Sequence, residues 1–286
     1  MPSTTPAPDP QALLAVAERV AREAGALVLA GRSGDVAVAT TKTSPVDVVT
    51  AVDTASERLI RQALRTARPH DGILGEEYGH EPGGSGLTWV VDPIDGTVNF
   101  LYGIPAYAVS VAVVEGDPYT PGGWSTVAAC VHAPAQGRTY AAGRGAGAWR
   151  EDATGRRRLT VNPPVPLRTA LVGTGFGYQA PRRRLQGRVV AGLLPRVRDI
   201  RRAGCASLDL AAIAAGELDG YYERGLQPWD LMGGALLVQE AGGAVVGLAG
   251  APAGERMTLA GAPDVVRDLD ALLVALGADA DDPVEG

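Results

Sequence analysis

The sequence predicts a mixed α/β (α+β) fold on three observations. Apolar residues recur at helical spacing in the opening segment and again near the end. Apolar, β-branched runs broken by Gly/Pro turns fill residues 107–142, in the manner of an antiparallel meander. From Ala170 onward, short strands alternate with helical segments. A length of 286 residues leaves room for one large domain or two moderate ones, with ample core.

Taken in order, Asp9-Pro10 reads as a helix N-cap with Pro at the first helical position. Leu13, Val16, Ala17, Val20, Ala24 and Leu27 follow at helical spacing, which predicts a helix ending near Gly31. Val36 and Val38 suggest a short edge strand, and a polar, Pro-interrupted stretch follows with Lys42 and Asp47. A second helix is expected from Asp53, because Thr54 and Glu57 have capping-box spacing; Pro69 stops it. Ile73-Leu74 reads as a short strand ending in Glu76-Glu77, and a Gly/Ser-rich loop, Gly79–Gly86, leads to the strand Trp89-Val90-Val91. That connection lets the two strands lie side by side, with Glu76 and Asp92 at one sheet edge.

Strands are expected at Tyr107–Val114, Thr126–Val131 and Arg138–Ala142. Gly143–Gly147 lacks the G-x-G-x-x-G spacing of a nucleotide loop and reads as a tight turn, as does Gly173–Gly177. Composition shifts over Arg150–Arg168, where the run Arg156, Arg157, Arg158 is a solvated surface and the segment a candidate boundary between halves. Beyond it come a strand (Ala170–Val172), a helix (Arg182–Val197), a strand (Asp199–Arg202), a helix (Ser207–Ala215) and a strand (Leu218–Glu223). A helix begins near Asp230 and stops at Gly242-Gly243; a last amphipathic helix covers Pro263–Leu276, before an acidic tail.

Composition narrows the function classes. The hydrophobic content of 46% with 20% charged residues is that of a globular chain, and a formal net charge of −6 argues against a nucleic-acid binder, which needs a basic face. Two distant cysteines, Cys130 and Cys205, cannot make a disulfide framework or a CxxC zinc site. With no signal-like lead and no run long enough for a membrane span, the expected location is the cytoplasm.

The chemistry gathers at Trp89-Val90-Val91-Asp92-Pro93-Ile94-Asp95-Gly96-Thr97-Val98-Asn99-Phe100. A turn between Asp92 and Asp95 brings both carboxylates to one point, where they repel unless a cation or proton lies between them. Oxygen-only ligands suit Mg²⁺. Gly96 allows close backbone approach, and Thr97 offers a hydroxyl beside helix N–H groups that can face phosphate. The plainer alternative is a type I turn with one Asp capping a helix. Likewise Glu76-Glu77 fits a solvated turn, and Asp230 a helix cap.

Together these clusters resemble the inositol monophosphatase family of metal-dependent, lithium-sensitive phosphatases. The signature Trp-x-Val-Asp-Pro-Ile-Asp-Gly-Thr-x-Asn-Phe runs without gaps from Trp89 to Phe100, and Trp-Asp leading to Glu-Ala-Gly-Gly spans Trp229–Gly243. The likeness extends from the first helix to about Gly261. It implies a layered α-β-α-β-α sandwich of the inositol monophosphatase / fructose-1,6-bisphosphatase type. Residues 1–150 would form an N-terminal half with the main metal site, and 151–286 an α/β half completing it.

The resemblance also implies roles. Glu76, Asp92 and the backbone carbonyl of Ile94 would hold one Mg²⁺, and Asp92, Asp95 and Asp230 a second. A third, weaker ion would touch Glu76, with Glu77 a supporting neighbour. Gly96 and Thr97 would bind phosphate, Asp53 would support the attacking water through Thr97, and Glu223 would bind substrate hydroxyls. Gly204, Cys205 and Ala206 would line the alcohol pocket, where Asp95 and Asp230 also face substrate. Cys205 stands where Ser or Thr is common and Met232 where a small residue is; both bear on the alcohol portion of the substrate.

The expected activity is hydrolysis of myo-inositol monophosphate by a metal-activated water, in a homodimer with no nucleic-acid or membrane partner. Histidinol phosphate, fructose 1,6-bisphosphate and 3′-phosphoadenosine nucleotides are alternative substrates. A non-catalytic metal-binding regulatory protein is the alternative from another class. Neither Gly cluster offers the strand-to-helix turn of a dehydrogenase.

Overall fold

The computed structural model describes residues 9–32, 38–41 and 48–280. Expectations for the lead before Asp9, for Val36, Lys42 and Asp47, and for the tail beyond Ala280 lie outside these residues.

Helix α1 (Pro10–Gly31) begins as expected, the Asp9 carboxylate accepting from the Gln11 N–H at 2.9 Å. Strands β1 (Val38–Thr41) and β2 (Val48–Thr50) pair antiparallel and lead into helix α2 (Ala51–Ala67). The capping box of α2 is Thr50 with Asp53, not Thr54 with Glu57: the Thr50 N–H donates to Asp53 Oδ2 at 2.9 Å. The two pairs have the same spacing. Thr54 instead donates to the Ala51 carbonyl, and Glu57 is buried.

The chain continues through β3 (Gly72–Gly75), β4 (Gly79–Glu81), β5 (Leu87–Asp95), α3 (Thr97–Tyr102), β6 (Ala108–Gly116) and β7 (Trp124–Ala133). After β8 (Arg138–Gly143), β9 (Gly147–Asp152) and β10 (Gly155–Arg158), the first large sheet has the order β10-β9-β8-β7-β6-β5-β3-β4. Strand β4 lies within what the sequence suggested was only loop. The Gly143–Gly147 turn joins β8 to β9 as expected. The arginine run, read as solvated surface, is the exposed edge strand β10, whose Arg156 and Arg158 guanidiniums lie 5.5 and 5.8 Å from the Trp149 ring.

The rest comprises β11 (Leu171–Thr174), α4 (Ala180–Leu193), β12 (Asp199–Arg201), α5 (Ala206–Ala214), β13 (Gly220–Glu223), α6 (Pro228–Glu240), β14 (Ala244–Val246), β15 (Thr258–Gly261) and α7 (Pro263–Ala275). These strands form a second sheet in the order β12-β11-β13-β15-β14. Three apolar clusters glue five layers. Trp89 and Val91 of β5 face Leu13, Val20, Ile60 and Leu64 of α1 and α2, whereas Val90 between them faces the opposite cluster with Leu210 and Leu236 of α5 and α6. That is the period-two alternation of a strand buried on both faces. Val172 and Leu259 of the second sheet meet Val189, Leu269 and Leu273 of α4 and α7. The result is the α-β-α-β-α sandwich. Among the described residues no helix is long and apolar enough to cross a membrane.

Candidate functional site

The first acidic segments of the site are set by strand pairing. β3 runs parallel to β5 with Gly75 opposite Val91, so the next residues, Glu76 and Asp92, leave the sheet edge side by side. Between Asp92 and Asp95 the strand does not turn, as the sequence suggested, but bulges. Asp92 pairs with Ser110 and Asp95 with Ala108, so three steps along β5 match two along β6. Pro93, which cannot donate to a ladder, fits at such a bulge. The Ile94 N–H turns back to Asp92 Oδ1 at 3.0 Å.

Asp230 arrives from the first turn of α6, its Oδ2 accepting from the Gln227 N–H at 2.8 Å. It is thus a helix cap and a site residue at once. One carboxylate oxygen from each of Asp92, Asp95 and Asp230 lies within 4.8 Å of the others, the one such acidic group found among the described residues. Asp92 is 1% exposed. Burial, then Glu76, Asp95 and Asp230, push its pKa well above the ordinary range. Asp230 is raised by burial, then by Asp95 and Glu76, against the opposing Gln227 N–H. Such a set is costly when charged unless a cation joins it, and its hard oxygen donors fit Mg²⁺.

Glu76, Asp92, Ile94, Asp95, Gly96 and Thr97 form one wall of a cleft of about 430 Å³; Gly204, Cys205, Ala206, Glu223 and Asp230 also line it. Asp53 stands behind that wall, 3.2 Å from the Thr97 hydroxyl, which also lies 3.0 Å from the Ile94 carbonyl oxygen. That carbonyl keeps a second lone pair for another partner. Burial raises the pKa of Asp53, opposed chiefly by the Thr50 donors. Gly96 has φ +89°, and a Cβ there would lie 2.9 Å from the Ala106 carbonyl oxygen and 3.2 Å from Cys205 Cβ. Only glycine fits such a turn without strain.

Glu223, at the end of β13, accepts from the Tyr221 hydroxyl at 2.6 Å. Burial pushes its pKa to about 7, with Tyr221 opposing and Asp95 adding. Cys205 is buried, and burial raises its thiol pKa well above the usual value. Glu77 does not line the cleft. Nor does Met232, expected beside the alcohol: it is 1% exposed and packs between the sheets, because its place on α6 faces the core.

Several residues were not foreseen. The Ser207 N–H, in the first turn of α5, donates to Asp95 Oδ2 at 2.6 Å. Asn99 Nδ2 donates to the Ala106 and Ala203 carbonyls at 2.7 and 2.8 Å, tying α3 to the segment before α5. Both partners of Asn99 are backbone groups, which side-chain spacing does not reveal. Phe176, Arg182 and Arg202 complete the cleft from the C-terminal half, with the Arg202 guanidinium 5.9 Å from the Phe176 ring. The Gly173–Gly177 segment is therefore the end of β11 and a cleft wall, not a tight turn between strands. A Cβ on Gly175 would fall 2.0 Å from the Glu223 carboxylate, which explains the glycine.

Known proteins resemble this chain in both sequence and fold. The model of the inositol monophosphatase family matches residues 9–277. An inositol-1-monophosphatase of Mycobacterium leprae is 45% identical over 292 residues, covering 96% of each chain. A Pseudomonas aeruginosa protein named Nus factor SuhB is 40% identical over 241 residues, covering 82% of this chain and 85% of its own. Mycobacterium tuberculosis SuhB superimposes with a TM-score of 0.78 at 43% identity, over 94% of this chain and 98% of that one. Sequence and fold together show that the chain belongs to the inositol monophosphatase family.

Proposed function

We propose that the protein is a Mg²⁺-dependent phosphomonoesterase that hydrolyses myo-inositol monophosphate to inositol and phosphate. The observation carrying this reading is the meeting of Asp92, Asp95 and Asp230 within 4.8 Å beside Gly96 and Thr97. Glu76, Asp92 and the Ile94 carbonyl would hold one ion, and Asp92, Asp95 and Asp230 another, with a third beside Glu76. When bound, Mg²⁺ supplies Lewis-acid charge at the phosphoryl oxygens and a water of lowered pKa.

The chain's own groups do the positioning. Gly96 and Thr97 bind the phosphate, while the Thr97 hydroxyl, braced by Asp53, and Glu76 orient the attacking water. The water oxygen bonds to phosphorus as the ester P–O bond breaks, and the departing alkoxide takes up the proton that the water gives up. Glu223 accepts from a polyol hydroxyl, beside Gly204, Cys205 and Ala206. Residues 1–150 carry the main metal site and 151–286 complete it. The family likeness further favours a homodimer in the cytoplasm, sensitive to lithium.

Phosphate release from myo-inositol 1-phosphate, histidinol phosphate, fructose 1,6-bisphosphate and 3′-phosphoadenosine nucleotides, each with Mg²⁺, tests this directly. The highest kcat/KM is expected for the inositol ester; a higher value for another compound replaces the substrate. The relative named Nus factor SuhB favours a second reading, a regulatory protein of the same fold. Mg²⁺ binding without turnover of any of these esters would support it.

A further inference from the structure

Helix α2 carries an unusual stripe toward the interior. Asp53, Ser56, Glu57 and Arg61 are 1, 0, 0 and 5% exposed, at positions that share one helix face. Burying four polar side chains is costly unless each is partnered, so where their hydrogen bonds go reveals what the stripe is for. Three of the four reach the acidic segments of the site.

Asp53 meets the Thr97 hydroxyl. Ser56 Oγ donates to the Pro93 carbonyl at 3.2 Å, inside the bulge between Asp92 and Asp95. Glu57 reaches the other segment: its Oε2 accepts from the Glu77 N–H at 2.7 Å and its Oε1 from the Tyr78 N–H at 3.2 Å. These are the two amides directly after Glu76. Arg61 completes the clamp, its Nε donating to Glu57 Oε1 at 2.8 Å and its Nη2 to the Gly79 carbonyl. Gly75 makes room, since a Cβ there would fall 2.1 Å from Glu57 Oε1.

We propose that Ser56 and Glu57 are positioning residues, which hold the turn after Glu76 and the Asp92–Asp95 bulge at the separation that lets their carboxylates share metal. The inference rests on the ligand roles given to Glu76 and Asp92 above. A single helix face thus acts as a jig between the segment that follows β3 and the bulge of β5. A purely structural ion pair between Glu57 and Arg61 would have no reason to address the amides following a ligand. Positioning of this kind is worth about 10–100-fold in metal affinity.

The test is calorimetric titration of the full chain with Mg²⁺, alongside hydrogen exchange at the Glu77 and Tyr78 amides and Mg²⁺ activation of turnover. Glu57→Gln is expected to weaken Mg²⁺ by about tenfold or more. It should also speed exchange at both amides and shift half-activation to higher Mg²⁺, while kcat at saturating Mg²⁺ recovers. Gly75→Ala, which displaces the Glu57 carboxylate from the opposite side, should do the same, and Ser56→Ala less. Arg65→Ala, at the exposed end where Arg65 pairs with Glu81, should leave affinity unchanged. If Glu57→Gln does not fold, Gly75→Ala and Ser56→Ala decide. Folded variants with parental Mg²⁺ affinity overturn the proposal. Glu76→Gln separates the two failures: parental affinity there removes the ligand assignment and the jig with it, whereas loss there but not in Glu57→Gln or Gly75→Ala removes the jig alone.

Discussion

Two groups of carboxylates, each buried or partly so, lie at the cleft or close to it, and the fold settles their repulsion differently. In the group at the sheet edge, each aspartate is pinned by a backbone N–H: Asp92 by Ile94, Asp95 by Ser207, Asp230 by Gln227. None can swing away from the others, so relief must come from a cation or a proton between them. The second group, Asp209 and Glu223, belongs to α5 and β13. Burial raises Asp209 to about 8, with Glu223 and Asp95 adding and Arg202 opposing, and Glu223 to about 7. Asp209 is 3% exposed, and its Oδ2 has no hydrogen-bond partner among the described residues. Here the high pKa of Asp209 lets a proton relieve the repulsion, so that Glu223 can carry the charge. The same functional group meets different surroundings in the two groups: three fixed carboxylates close together at the edge, and a buried aspartate that can hold a proton beside Glu223 in the cleft wall.

The largest expected effect breaks the cradle. Asp95→Asn keeps the acceptor for the Ser207 N–H but removes a charge, and should cost at least about 10²-fold in kcat at saturating Mg²⁺, with an unchanged circular dichroism spectrum. Parental turnover in that variant would show that the edge group is not the reaction centre.

A second variant sharpens the role of the wall. Losing a hydrogen bond to a charged acceptor is worth about 1.5–3 kcal/mol, so Glu223→Ala should lower kcat/KM for inositol 1-phosphate by roughly 10–100-fold. An aryl phosphate, lacking the polyol hydroxyl, should lose far less. Equal losses would take Glu223 out of substrate recognition.

The smallest effect is on stability. Because Asp209 is raised from its ordinary 3.8 to about 8, its contribution is fully present below the unfolded value and is lost as pH rises through the folded one. Asp209→Asn should therefore be nearly neutral in melting temperature at pH 4 and stabilising at pH 8. A variant destabilised equally at both would mean that Asp209 is held by contacts rather than by a proton.

The two groups also differed in how far the sequence revealed them. The edge group lies largely in one contiguous strand with Pro, Gly and Asn as punctuation, so the meeting of Asp92 with Asp95 was legible, although a bulge and not a turn achieves it. Asp230 was visible both as a cap and as a candidate ligand. Asp209 and Arg202 carried no local signal: one sits in an apolar helix and the other in an arginine pair, and only tertiary packing brings them to Glu223. Glu57 has capping-box spacing from Thr54, but its true partners, the Glu77 and Tyr78 amides, are twenty and twenty-one residues away and belong to the backbone. For the fold, the helices and the long meander strands stood out by period. Strands β10 and β14 did not, one being a charged edge and the other three residues long.

Melting temperatures of the parent and Asp92→Asn, each at pH 8 with chelator and with excess Mg²⁺, test the central claim most directly. If the buried aspartates are tolerated because metal joins them, Asp92→Asn should melt above the parent without metal and below it with Mg²⁺, the parent alone gaining strongly from the ion. A parent that does not respond to Mg²⁺, or a variant that melts lower under both conditions, would contradict the account.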